Sequence, residues 1–389
     1  MFELLHRLFD TFANSSERHA YFSPGRVNLI GEHIDYNGGQ VMPFAIEYGT
    51  YGIIAKRTDQ EIRLLSAGYD HRQVRQLSLS QLERTAKDGW TAYVKGVISF
   101  LIQSGVQIDH GFDIVLGGDL PTGSGLSSSA SLESLIAVML NEMFDGRLTR
   151  KELALLCQKV ENQYVGVQCG IMDQFVILNS IQDQCMVLDT HSLDFEMVPL
   201  ELGDHTLVII DSKIKRQLQN SAYNQRREEC RLALDYFRQY QDVTDLCHLD
   251  EEVLREYAKN VSNPVWVKRA HHCVSEQQRV LSAKEALLNK DFVTLGRLLN
   301  ESHDSLRDDY EVSVPPMDDL IEIARKYGSL GSRMTGAGFG GCSVHLIEKK
   351  HQKSFVKNVL HEYESRVGLR AKVLTTKAVG STHEVKEGA

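Results

Sequence analysis

The run Pro121-Thr122-Gly123-Ser124-Gly125-Leu126-Ser127-Ser128-Ser129-Ala130 leads straight into an apolar stretch, Leu135-Ile136-Ala137-Val138-Met139-Leu140. Glycines let a backbone approach a ligand closely. Hydroxyls add donors, and a helix starting here presents free N–H groups and a partial positive charge. Together these features make a phosphate cradle. It is not the common nucleotide loop, because GxxxxGK[ST] occurs nowhere in the chain. A serine cap behind a glycine turn is the plainer reading. Three serines and two glycines ahead of so apolar a helix exceed what a cap needs.

Three more clusters carry chemistry. Gly336-Ala337-Gly338-Phe339-Gly340-Gly341 satisfies GxGxxG, but Cys342-Ser343-Val344-His345-Leu346-Ile347 behind it alternates like a strand. A dinucleotide fingerprint opens a helix, so that reading is rejected. What remains is a glycine-rich turn able to approach phosphate, or a hairpin. The segment from Gly25 to Gly39 gathers Glu32, His33, Asp35 and Asn37 between glycines. Short carboxylates, an amide and an imidazole suit bidentate hydrogen bonding to a polyhydroxylated ligand. A metal site is the rival, weakened by the lack of a second histidine at helical spacing; a plain polar loop is the third option. Finally, Cys169-Gly170-Ile171-Met172-Asp173-Gln174 follows an amphipathic helix, Lys151 to Val165, with Glu161 at the edge of its apolar stripe. An acid there can face a cleft while its helix stays packed. An aspartate just beyond a glycine is ordinarily a turn residue.

The elements that must position these groups alternate between helix and strand. Strands are predicted over 48–55, 112–116, 205–211, 342–347 and 372–376, and helices over 128–143, 151–165 and 221–240, with 264–330 mostly helical. Clustered rather than regularly alternating elements predict an α+β fold. No 20–50-residue repeat suggests a solenoid. The 389 residues suffice for two or three domains, and a boundary near 195–205 would leave a cleft between two halves.

A net charge of −9 argues against a protein that wraps nucleic acid or coats acidic membranes. The seven cysteines form no CxxC pair and read as reduced, mostly buried thiols. No stretch approaches the ~18 apolar residues of a membrane span. The N-terminal Met1–Asp10 segment interleaves charge with Leu and Phe, as an amphipathic helix does and a signal peptide does not. A cytoplasmic protein is expected.

Taken together, the motifs resemble those of the galactokinase family within the GHMP small-molecule kinases. The serine-rich P-x-G-x-G-L-S-S-S-A and the glycine-rich M-T-G-A-G-F-G-G-C match the superfamily. The segment G-R-V-N-L-I-G-E-H-x-D-Y-N-G-G, the C-G-I-M-D-Q stretch and Tyr223 within Ser221–Arg227 match galactokinases in particular. The resemblance implies a phosphotransferase that moves phosphate from ATP to the anomeric hydroxyl of galactose. It implies an N-terminal half like ribosomal protein S5 domain 2, over 1–200, that carries the sugar site and phosphate loop. The C-terminal half, over 201–389, would be the ferredoxin-like GHMP domain, with the active site in the cleft between. Carried over residue by residue, Asp173 is the base and Arg26 its cationic partner. Glu32, His33, Ile34, Asp35, Gly170, Asp173 and Tyr223 bind sugar. Gly123, Ser124, Gly125, Leu126, Ser127, Ser128 and Ser129 bind ATP, and Ser129 and Glu161 hold Mg²⁺. Trp90 resembles a residue near the nucleotide. Galactose and ATP are the implied partners, with no nucleic acid, membrane or protein partner. Two positions depart from the family: Ile34 replaces the usual Thr, and Ser124 a Gly or Ala. The alternatives are a kinase for N-acetylgalactosamine or arabinose, and a non-catalytic galactose- and ATP-binding regulator.

Overall fold

Strands form where apolar residues alternate with polar ones, and they assemble into three sheets. A computed structural model describes residues 1–13, 15, 17–69, 72–121, 123–214 and 219–386; Thr122 of the serine-rich loop and the side chain of Ser221 lie outside the described residues. The first sheet has six strands in the order His383–Glu384, His19–Asn28, Pro43–Lys56, Phe112–Gly118, Glu61–Ser66 and Arg75–Ser78. All its pairings are antiparallel except that of Glu61–Ser66 with Phe112–Gly118. The predicted helix Ser128–Met143 forms over the expected residues and lies on this sheet. A Cβ at Gly52 would stand 2.5 Å from Met139, so the glycine lets helix and strand approach.

The second sheet is antiparallel in the order Gly331–Thr335, Cys342–Glu348, His205–Asp211 and Lys372–Leu374. Numbered along the chain from His205–Asp211, that is 2-3-1-4, with helices between the first and second strands and between the third and fourth. This is the ferredoxin-like β-α-β-β-α-β arrangement. A small third sheet joins Gln40–Val41, Gln184–Asp189 and Phe195–Pro199.

The chain crosses the 200/201 boundary more than once. After the second sheet it returns to pair Tyr21 with Glu384 and Phe22 with His383. One hydrophobic cluster also runs through both halves. The amphipathic N-terminus forms the helix Phe2–Phe12, which buries Leu5 and Phe9 in a second, smaller cluster. All seven cysteines are free, and six are buried. Among the described residues no helix is long and apolar enough to cross a membrane.

The helix Pro264–Leu288 grips the polar loop behind Arg26 at three points. Glu276 accepts from Gly31 N (2.9 Å), Gln277 Oε1 from Gln40 N (2.7 Å), and His272 Nε2 lies 3.0 Å from the Glu32 carbonyl. Arg333, wholly buried, reaches from the second sheet to the same loop. Its Nη1 donates to the carbonyls of Asn28 (2.7 Å) and Leu29 (2.9 Å), and its Nη2 pairs with Glu32 at 2.9 Å. Burial, then the nearby Arg26, pull its pKa down to about 9. Deleting one partner of a buried ion pair strands the other. Arg333→Met is therefore expected to destabilise the protein by about 3–5 kcal/mol, read as a lowered urea midpoint. An unchanged midpoint would mean that the two halves are held together elsewhere.

Candidate active site

The strand His19–Asn28 breaks register between Pro24 and Gly25, and the kink aims Arg26 inward. A Cβ at Gly25 would stand 2.6 Å from the Leu126 carbonyl oxygen, so only glycine lets the strand lie this close to the serine-rich loop. Arg26 then spends its donors on two other segments. Nε and Nη2 donate to the two oxygens of Asp173 at 2.9 and 3.0 Å, and Nη1 donates to the Gly125 carbonyl at 2.6 Å. Arg26 is 4% exposed, whereas the Asp173 side chain keeps 29%, open toward the cleft.

Within the serine-rich loop, Gly123 and Gly125 both take positive φ, and so does Ser127, at 64°. Gly123 is exposed, while Ser124 and Leu126 are buried. Ser127 is the helix N-cap by position, but its side chain makes no capping bond. Its hydroxyl donates instead to Asp173 Oδ2 at 2.5 Å. The plain serine-cap reading therefore fails, and the first turn keeps its N–H groups for an anion. Ser128 and Ser129 open the helix on the wall of a cavity of about 350 Å³. Trp90, Tyr93, Leu120 and Leu132 form much of its apolar lining.

A second cavity, about 150 Å³, has Asp173 in its wall. It brings together Arg26, Glu32, His33, Asp35, Glu161, Gly170, Asp173 and Tyr223, which the sequence places far apart. Ile34 does not line it. Its side chain is fully buried and packs toward Gly39, so this predicted sugar contact is a core residue at the side-chain level. Gly170 is required by Asp35, since a Cβ there would come within 1.8 Å of Oδ2. Glu32 faces the cavity while its Oε1 accepts from Thr335 Oγ1 (3.0 Å) and Gly336 N (2.7 Å), fastening the glycine-rich turn.

Glu161 shows why helical periodicity alone placed it only at an edge. The helix Arg150–Lys159 gives way to a π-helical stretch, Val160–Val165. The wider turn swings Glu161 inward until it is 5% exposed, beside Ser129, with which it hydrogen-bonds. Such π turns are frequent at functional sites. Burial, opposed by the Ser129 hydrogen bond and reinforced by the Asp173 charge, pushes Glu161 up to about 7. Burial, then Asp173, push Asp35 up to about 6. Burial, then His272, push His33 down to about 3, so it is neutral. A buried carboxyl next to a hydroxyl, in a site already crowded with negative charge, is a hard-oxygen donor set that fits Mg²⁺. The described residues hold no cluster of three His, Cys, Asp or Glu around a metal position, so such an ion would need other oxygens.

Sequence reasoning missed Tyr36, Ala337, Arg333 and the wholly buried Glu133. Only Arg333 left a signal: a lone cation within the buried strand Gly331–Thr335, just ahead of the glycines.

Three family models match: the galactokinase galactose-binding signature over residues 7–56, the GHMP kinases N terminal domain over 92–180, and the GHMP kinases C terminal over 283–365. The chain is 42% identical to a galactokinase of Enterococcus faecalis over 369 residues, 95% of each chain. It is 46% identical to a galactokinase of Streptococcus mutans over 349 residues, 90% of each. Lactococcus lactis galactokinase complexed with galactose superposes with a TM-score of 0.96 at 40% identity, covering 99% of both chains. Mevalonate kinase of Methanococcus jannaschii, at 18% identity and a TM-score of 0.65 over 94% of this chain and 100% of that one, shares the fold.

The two glycine-rich motifs touch. Gly336 has φ of 86°, and a Cβ on it would stand 2.7 Å from the Gly125 carbonyl oxygen. Gly336→Ala is thus strained in its backbone and pushes on the serine-rich loop. We expect about tenfold faster amide exchange over residues 123–129, equivalent to about 1.4 kcal/mol. Exchange as slow as in the wild type would show that the two loops are independent.

Proposed function

The chain belongs to the galactokinase family, and from that premise we propose how its residues divide the work. The protein is a galactose kinase that uses ATP. The 150 Å³ cavity takes the sugar, and its small volume favours an unsubstituted monosaccharide over an N-acetylated one. The 350 Å³ cavity takes the nucleoside of ATP against Trp90 and Leu132, with its phosphates directed to Gly123–Ser129 at the helix start. The half 1–200 lines both cavities, and 201–389 adds Tyr223, Gly336 and Ala337 to the wall of the smaller one.

One observation carries the assignment of the reacting centre. Asp173 is held in bidentate fashion by Arg26 in the wall of the 150 Å³ cavity, with a Ser127 hydroxyl on the same carboxylate, next to the Ser128 and Ser129 that line the other cavity. In this reading Asp173 accepts the proton of the attacking sugar hydroxyl. Arg26 fixes that carboxylate and lends positive charge to the moving phosphoryl group. An ion-paired carboxylate is a weak base, but phosphoryl transfer passes through a loose transition state that asks mainly for positioning and charge stabilisation. Ser129 and Glu161 would hold Mg²⁺, which when bound neutralises charge on the phosphate oxygens. Glu32, His33, Asp35 and Tyr223 orient the sugar, and Gly170 makes room for Asp35.

Asp173→Asn keeps the shape of the site and removes the base. It should lower kcat by about 10²–10⁴-fold while galactose still binds in calorimetry. Near-wild-type turnover would reject Asp173 as the base. Bound galactose without turnover in the wild-type protein would favour the regulator.

Asp35 gives a pH dependence with a definite sign. Its folded pKa of about 6 lies above the ordinary 3.8, so the folded chain binds this proton the more tightly. As pH falls through 6 the ionised acceptor disappears, and the galactose KM should rise about tenfold between pH 7 and 5. Linkage gives stability the opposite trend: this group's contribution grows more favourable as pH falls from about 6 toward 3.8. A galactose KM that stays flat over that range would show that Asp35 does not accept from the sugar as a carboxylate.

A further inference from the structure

His33 enters the sugar cavity with one nitrogen committed and one open. Its φ is 62°, a left-handed conformation that only a local constraint sustains in a non-glycine residue. The ring is 4% exposed and lines the cavity. Nδ1 lies 2.7 Å from Tyr36 Oη, whereas Nε2 is buried without a hydrogen-bond partner among the described residues. Tyr36 Oη lies 2.9 Å from Tyr310 Oη, and Tyr310 Oη lies 3.0 Å from Cys230 Sγ. Tyr310 is fully buried, and its ring faces that of His33 at 4.9 Å. Asn37 ties the ends of this chain together, donating to the His33 carbonyl (2.8 Å) and toward Cys230 Sγ (3.7 Å).

Each hydroxyl in such a chain gives one proton and accepts another, so the chain has two possible directions. Asn37 Nδ2 points at Cys230 Sγ (3.7 Å), so the sulfur takes that N–H and leaves its own S–H for the Tyr310 oxygen. With the chain running from that end, Nδ1 is the bare nitrogen and accepts from Tyr36. Tyr36 in turn accepts from Tyr310, and Tyr310 from the Cys230 thiol.

We propose that the Cys230–Tyr310–Tyr36 relay fixes His33 as the tautomer protonated on Nε2, so that the imidazole meets the sugar as a hydrogen-bond donor. The assignment rests on the reading of His33 as a sugar ligand. It has a consequence for recognition, because the other charged groups around the cavity are poor donors to a neutral ligand. Glu32, Asp35, Asp173 and Glu161 are carboxyls, and Arg26 is committed to Asp173 and Gly125. Beside the Tyr223 hydroxyl, which can donate or accept, His33 supplies a neutral donor of fixed direction that selects which sugar hydroxyl must accept. Loss of that match leaves a buried N–H unpaired, which is how a polar site rejects an epimer. Tyr36, Tyr310 and Cys230 act as positioning residues.

The test is long-range proton–nitrogen correlation on the full-length protein labelled with ¹⁵N-histidine, with His33 assigned from the spectrum of His33→Gln. We expect a protonated Nε2 and a bare Nδ1, and a shift of Nε2 when galactose is added to saturation. A ring protonated on Nδ1 overturns the relay. A ring protonated on Nε2 that ignores galactose overturns the donor role and the sugar assignment of His33 with it. Tyr36→Phe leaves Nδ1 without a donor. It should mix the tautomers and raise the galactose KM about tenfold, with the ATP KM moving less than about twofold. A pure Nε2 tautomer in that variant would show that the relay does not set the ring.

Discussion

A guanidinium shut away from water must find carboxylate and carbonyl partners or unfold its surroundings. Arg26 finds them in two other segments at once. It extends from the strand His19–Asn28, takes both oxygens of Asp173 in the first turn of the helix Met172–Asn179, and holds the Gly125 carbonyl of the serine-rich loop. Asp173 then receives the Ser127 hydroxyl, which closes the triangle. None of these segments can move without uncovering a buried charge. Arg26, Asp173 and the serine-rich loop are therefore one rigid unit, and rigid placement of reacting groups is where phosphoryl transfer draws most of its rate.

Around this unit the electrostatics are deliberately unbalanced. Asp35 and Glu161 are pushed up to about 6 and 7, chiefly by burial and with Asp173 adding to each. Glu133, fully buried one helical turn beyond Ser129, is raised further, by burial and then by Glu161. Against these carboxyls the cavity itself sets Arg26 as its one guanidinium. A cavity with this charge balance favours cationic and hydroxyl-rich ligands. The second sheet holds its loops in place. Arg333 and the helix Pro264–Leu288 clamp the loop that carries Glu32 and His33 from behind.

The parts legible in the sequence were those with local causes. Ser128–Met143 was readable because its apolar run admits no other element, and His205–Asp211 because its core is continuous. The α+β class and the glycine-rich strand entry at Cys342 followed from periodicity. Glu161 was legible as an acid able to face a cleft, and it lines the cavity, but from a π turn that helical periodicity does not anticipate. The serines looked like either a cap or a cradle, and composition could not decide. The decision lies in a hydroxyl that crosses to Asp173, 46 residues away. Tyr310 and Cys230 left no signal, because their role exists only once a helix and a loop 80 residues apart in sequence meet.

The departures from the family motif are better understood against this geometry. Ile34 stands between two cavity-facing residues, yet its own side chain is fully buried against Gly39. The turn puts successive side chains on opposite sides, so position 34 faces the core while positions 33 and 35 face the cavity. Ser124 is buried at the base of the loop, away from the cavity wall formed by Ser128 and Ser129. Neither side chain lines the 150 Å³ cavity. The polar groups that do are the ones fixed by their neighbours: Asp35 by its close approach to Gly170, and His33 by the hydroxyl chain that ends on its ring.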